Sequence, residues 1–142
     1  MISSVEPVRL DQRPNGCWAA CIAMLTGIPL DELSQGIPTD ADDAWWDAHA
    51  THLHNDMMHR LRARRWRLEH IGRDVPRGYA IASGPSPRGT NIQHAVVVKD
   101  GELWHDPHPS RAGVLSIETY EVLIPLAAPG YAIPPEYAVA AR

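Results

Sequence analysis

Cysteine is scarce in this chain, with two residues in 142. That excludes a disulfide-stapled scaffold and fits a reducing compartment in which a thiol stays free to react. No apolar run approaches a membrane span, and the start of the chain has neither a basic stretch nor an apolar h-region. The expectation is a cytoplasmic protein without a membrane partner. An excess of basic residues is also missing: the net charge is −4, which argues against a dedicated nucleic-acid binder. There is no internal repeat and no low-complexity tract. Hydrophobic residues make up 44% of the chain, too many for a disordered one. One domain over residues 1–142 is expected, with a proline-rich tail from about residue 125 (Pro125, Pro129, Pro134, Pro135).

What is present concentrates at Gln12-Arg13-Pro14-Asn15-Gly16-Cys17-Trp18-Ala19-Ala20-Cys21. Pro14, Asn15 and Gly16 break or cap, and the apolar run Trp18 to Leu25 reads as a buried helix ended by Thr26-Gly27. Cys17 therefore stands at a helix N-terminus, where the dipole and free backbone N–H groups favour thiolate, the nucleophilic form. Cys21 lies one turn deeper among Ile22, Ala23 and Leu25 and reads as inert core.

A second constellation is His94-Ala95-Val96-Val97-Val98-Lys99-Asp100-Gly101-Glu102-Leu103-Trp104-His105-Asp106. Apolar flanks around Asp-Gly predict a hairpin. A two-residue turn would put His94 and Asp106 on opposite faces. A three-residue loop, Lys99-Asp100-Gly101, pairs Val98 with Glu102 and sets His94 directly across from Asp106. The three-residue loop is the favoured expectation. An imidazole so placed takes a thiol proton, and the carboxylate holds its tautomer. Gln12 can offer its side-chain amide to an oxyanion beside the backbone N–H of Cys17.

Gln12 before Cys17-Trp18-Ala19-Ala20-Cys21, then His94 opening a strand, then Asp106 after the next strand, resembles the papain-like cysteine peptidase superfamily. Within it the chain is most similar to small bacterial members such as the bacteriocin-processing leader peptidases. The resemblance implies an α+β papain-like fold: an N-terminal helix carrying the cysteine, packed on a small antiparallel sheet. It also implies the roles: Cys17 nucleophile, His94 base, Asp106 orienting group, Gln12 oxyanion donor. Gln12 stands one residue closer to Cys17 than the family spacing, and Trp18 replaces the glycine of the leader peptidases. The segments 82–89 and 106–110 look like those of uncharacterised bacterial and phage proteins.

The remaining elements fit the same α+β order. A short helical turn is expected at Ile28–Leu33. A longer helix is capped by Thr39 or Asp40, with a stripe of Trp46, Ala50, Leu53, Met57 and Leu61. Strands are expected at Trp66–Ile71, Tyr79–Ser83, His94–Lys99, Glu102–His105 and around Tyr120–Ile124. Ser83 to Gly89 reads as a loop, a flap over the cleft that lacks the lysine of a nucleotide-binding loop. Trp18 and Trp104 are expected to line the cleft. His49, His52, Asp56 and His59 form one helical stripe, read as a solvated face rather than a metal site, and no cofactor is expected. The arginines of Arg60–Arg67 read as cations suited to a helix C-terminus.

The expected function is cysteine-dependent hydrolysis of an amide in a peptide or protein substrate. The alternatives are a deamidase or acyltransferase using the same groups, a non-catalytic peptide- or protein-binding module on the same fold, and a histidine-rich metal binder. Substrate identity and oligomeric state are not legible.

Overall fold

The ten residues Cys17–Thr26 carry no charge, and a helix apolar on all sides has to be buried. In the computed structural model, which describes residues 6–126, they form α1, with Ala19 through Met24 all buried. Gly27 ends α1 in the left-handed region (φ 76°), its N–H donating to the Ala23 carbonyl. α2 (Leu30–Leu33) follows, then α3 (Asp43–Ala63). The cap of α3 is Asp42, whose side chain accepts from the Trp45 N–H, rather than the expected Thr39 or Asp40. Asp42 has the extended backbone that a capping residue requires. Of the predicted stripe, Leu53, Met57 and Leu61 are buried.

Five strands follow: β1 (Trp66–Gly72), β2 (Tyr79–Pro85), β3 (Gln93–Lys99), β4 (Glu102–His105) and β5 (Thr119–Pro125). They form one open antiparallel sheet in the order β1-β5-β2-β3-β4, so the last strand inserts between the first two. The architecture is α+β, as expected. β2 runs on through Pro85, so Ser83 to Pro85 are strand and the loop is confined to residues 86–92. The proline-rich tail lies outside the described residues, apart from Pro125 at the end of β5.

The sheet is covered on both faces, which explains the unbroken apolar run of β3. Cys21, Ile22 and Met24 of α1 pack with Leu68, Ile81, Ala95, Val97 and Leu123. On the opposite face Ala80, Ala82, Val96, Val98, Tyr120 and Val122 gather under Val114 and Ile117 of the segment between β4 and β5. That segment runs very close to β2. A Cβ on Gly84 would stand 1.8 Å from the Ser116 carbonyl oxygen, a distance no side chain tolerates.

The β3–β4 hairpin departs from the favoured register. Lys99 pairs with Glu102 and Val98 with Leu103, so the turn is the two-residue Asp100-Gly101. Both turn residues have positive φ, 52° and 83°, the backbone of a type I′ turn, whose twist matches the strands. The register then shifts by one, and Val97 pairs with His105. This bulge at Trp104 shifts the register the opposite way from a loop over Lys99-Asp100-Gly101, so His94 and Asp106 are not paired directly across the hairpin. It places Asp106 level with Val96, on the same side of the hairpin as His94.

The contact at Gly84 yields a prediction. Gly84→Ala has to push the 115–118 segment off β2, and should cost about 2 kcal/mol or more of stability. An unchanged urea midpoint for this variant would show that the segment moves freely.

Candidate active site

Cys17, His94 and Gln12 line one cleft of about 1050 Å³. One wall is the start of α1 with the middle of α3; the other is the end of β2, the 86–92 loop and the start of β3. Asp106 lies behind His94, away from the opening.

His94 Nε2 and Asp106 Oδ1 are 2.6 Å apart, with the residues 3% and 2% exposed. The carboxylate has further partners: its Oδ1 accepts from the His108 N–H at 2.9 Å and its Oδ2 from the Gly113 N–H at 2.7 Å. Burial pushes this carboxyl up, but the His94 hydrogen bond and the two backbone N–H groups outweigh it, and its pKa falls below the usual value. Asp106 is therefore an ionised acceptor. Holding Nε2 leaves the other ring nitrogen, Nδ1, for a second partner. Gly113 reaches its position with a φ of 75°, which favours glycine. Arg111 braces the turn by donating to the carbonyls of Asp106 and His108 at 2.8 and 3.0 Å. The sequence reading missed both residues. A glycine following the Asp-Pro-His-Pro-Ser run was the available signal for Gly113; nothing marked Arg111.

The segment leading to Cys17 is laced to this same loop. His105 Nε2 lies 3.0 Å from the Leu10 carbonyl, Arg111 pairs with Asp11, and the Gln12 N–H donates to the Pro107 carbonyl at 2.9 Å. A turn closed by Gly16 N–H to Arg13 carbonyl (2.8 Å) then delivers Cys17 to the first position of α1. Asn15, at φ 57°, ties that turn to the Pro38 carbonyl at 2.8 Å.

Cys17 is half-buried and reduced, and no hydrogen bond or ion pair joins it to His94. Its strongest influence is burial, which pushes the thiol up; backbone hydrogen bonding at Ala95, Trp18 and Cys17 and the charge of Arg88 pull it down without prevailing. Burial thus opposes the thiolate that the helix N-terminus favours. The helix N-terminus acts as expected, but desolvation of the sulfur is larger. The Ala95 interaction sets the sulfur at the residue after His94. Cys21 is fully buried and its thiol is pushed up much further.

Gln12 is placed less simply. Its Oε1 is buried without a partner, while Nε2 makes a long 3.4 Å contact to the Arg13 carbonyl. A half-turn of the terminal amide would exchange the two atoms and put a donor in the buried position.

Trp18 lines the cleft as expected, with its Nε1 donating to Glu121 Oε1 at 2.9 Å and its ring stacked on His54 at 6.1 Å. Trp104 does not line it. Its ring meets Tyr79 edge-on at 5.3 Å, Arg9 lies over it at 4.0 Å, and its Nε1 donates to Glu6. The bulge turns Trp104 out of line with its strand neighbours.

The histidine stripe of α3 is not drawn together. His49 stacks on Trp45 at 4.2 Å, and Asp56 is held by Gln35 and Arg60. No group of three metal-binding side chains forms among the described residues. The arginine run is largely spent on ion pairs: Arg60 with Asp56, Arg64 with Glu32 and Arg67 with Glu69. No helix among the described residues is long and apolar enough to cross a membrane.

The chain matches no protein-family model, no curated protein and no solved structure.

The lowered Asp106 pKa fixes the sign of a pH effect. Folding favours the ionised form, so the stabilisation is present above the unfolded value of about 4 and is lost as pH falls through the folded value. Asp106→Asn should cost about 3 kcal/mol at pH 7, and the gap to wild type should narrow towards pH 3. A gap of equal size at both pH values in urea unfolding would contradict the assignment.

Proposed function

We propose that this chain is a thiol-dependent amide hydrolase on a papain-like fold, with Cys17 as nucleophile, His94 as base, Asp106 as orienting group and Gln12 as oxyanion donor. The observation that carries the reading is the buried 2.6 Å His94–Asp106 pair opening onto the cleft that Cys17 lines. Such a pair is expensive to bury for stability alone. Holding one imidazole tautomer beside a thiol gives it a purpose.

The protonated resting thiol selects the order of events. As a peptide enters and displaces water, Sγ–H passes its proton to His94 Nδ1 and the sulfur attacks the carbonyl carbon. Negative charge then forms on the carbonyl oxygen. The backbone N–H of Cys17 is one donor to it. The Gln12 amide, turned by half a rotation, is the second, and its buried orphan position gains a partner only when that charge develops. Asp106 keeps its proton-free form and stabilises the imidazolium. The C–N bond breaks, the amine leaves with the His94 proton, and water, deprotonated by His94, hydrolyses the thioester. A peptide bond and a glutamine side-chain amide follow the same steps, so peptidase and deamidase share this machinery.

The test is turnover of a mixed peptide-amide library by the purified protein and four variants. Cys17→Ala should abolish release of amine, and His94→Ala should cost at least about a thousandfold. Gln12→Ala should cost about a hundredfold in kcat with little change in KM, and Asp106→Asn should leave measurable activity. Labelling adds a readout that needs no substrate. At pH 8.5 iodoacetamide should modify Cys17 in the folded protein and Cys21 only after unfolding. Equal labelling of both thiols, or turnover surviving Cys17→Ala, would end this reading.

A further inference from the structure

Among the described residues two arginines line the cleft, Arg13 and Arg88. Arg13 is committed to an ion pair with Asp31. Arg88 makes no ion pair among the described residues. Acids do line the same cleft (Asp43, Asp47 and Glu121), yet none of them pairs with it. A guanidinium has five donors in a fixed fork, shaped to take a carboxylate. Its charge also reaches the site itself, since it acts on both the Cys17 thiol and the His108 ring.

The loop that carries Arg88 is braced rather than loose. Ser86, 1% exposed, donates its N–H to the Ile92 carbonyl at 2.7 Å, and its Oγ accepts the Arg88 N–H at 3.1 Å. Gly89 sits against Ile92 so closely that a Cβ would fall 2.6 Å from that side chain. Six residues on, in the strand that follows, the same chain becomes His94. The fold therefore holds the backbone of Arg88 in place on the lining of the cleft that Cys17 shares, with its guanidinium in no ion pair among the described residues.

We propose that Arg88 is a specificity-determining residue that takes an acidic side chain of the peptide substrate close to the scissile carbonyl. The inference rests on Cys17 being the nucleophile of the proposed hydrolase. Arg88 is exposed on the lining of the cleft, open to a side chain of a peptide lying there.

The experiment compares two pairs of electrophiles at pH 8.5 on wild type, Arg88→Gln and Arg88→Lys. Iodoacetate and iodoacetamide differ in a carboxylate, and each forms a C–S bond at Cys17 with loss of iodide. Their rate ratio cancels any shared change in thiolate fraction and in His94. In wild type the ratio should exceed that of the unfolded chain and shrink with added sodium chloride. Arg88→Gln should lower it about fivefold, and Arg88→Lys should keep most of it. Peptidyl chloromethyl ketones bearing glutamate or glutamine beside the reactive carbon then locate the carboxylate, and the same Arg88-dependent preference should appear for glutamate. An unchanged iodoacetate ratio in Arg88→Gln overturns the role of Arg88 while leaving Cys17 as nucleophile. An Arg88-dependent iodoacetate ratio without a glutamate preference overturns the assignment to a side chain. If neither small probe labels Cys17 faster than Cys21, the hydrolase reading itself falls and takes this inference with it.

Discussion

The hydrogen bond between His94 and Asp106 sets the terms for everything around it. A carboxylate removed from water loses several kcal/mol of solvation unless its oxygens are given donors. Here both oxygens are given them, by the imidazole and by the N–H groups of His108 and Gly113. Each donor imposes a condition on the backbone. Gly113 needs a left-handed φ; the 106–111 turn needs Arg111 across its carbonyls; Asp106 needs the same side of the hairpin as His94. The bulge at Trp104 meets the last condition without lengthening the tight Asp-Gly turn. Local irregularity at the end of β4 is thus the means by which a regular sheet holds a charged pair.

From that pair the order spreads to the first helix. The loop after Asp106 receives Gln12 through Pro107 and Asp11 through Arg111, and His105 meets the Leu10 carbonyl. These three ties lie side by side on one stretch of chain. Beyond them a single turn leads to Cys17. The sulfur is consequently positioned by the same loop that holds the carboxylate, although the two are far apart in sequence. The site is a joint product of the hairpin and the N-terminal segment, and slackening either disturbs both.

The balance at the sulfur shows how magnitude decides. The start of α1 favours a thiolate, and so do the backbone around Ala95 and the charge of Arg88. Desolvation opposes all three and wins, because a charge in a partly dry cleft loses more solvation than a few N–H groups return. In the proposed hydrolase, a thiol protonated at rest would give up its proton only when a substrate enters the cleft.

Sequence alone determined the elements whose cause is local. The uncharged run from Cys17 to Thr26 with Gly27 behind it specified a buried, capped helix, and the Val-rich strand with Asp-Gly specified a hairpin, though not the length of its turn. Cys17, His94, Asp106 and Gln12 were legible as candidates because each carries chemistry of a recognisable kind. Tertiary structure decided the rest. The insertion of β5 between β1 and β2 depends on which apolar faces meet, and no local pattern encodes that. The bulge was hidden because a one-residue register shift leaves the alternation of neighbouring side chains plausible either way. Trp104 was misplaced for the same reason. The burial of Cys17 and the lack of an ion pair for Arg88 among the described residues depend on what surrounds them in space, and those are properties of the folded cleft.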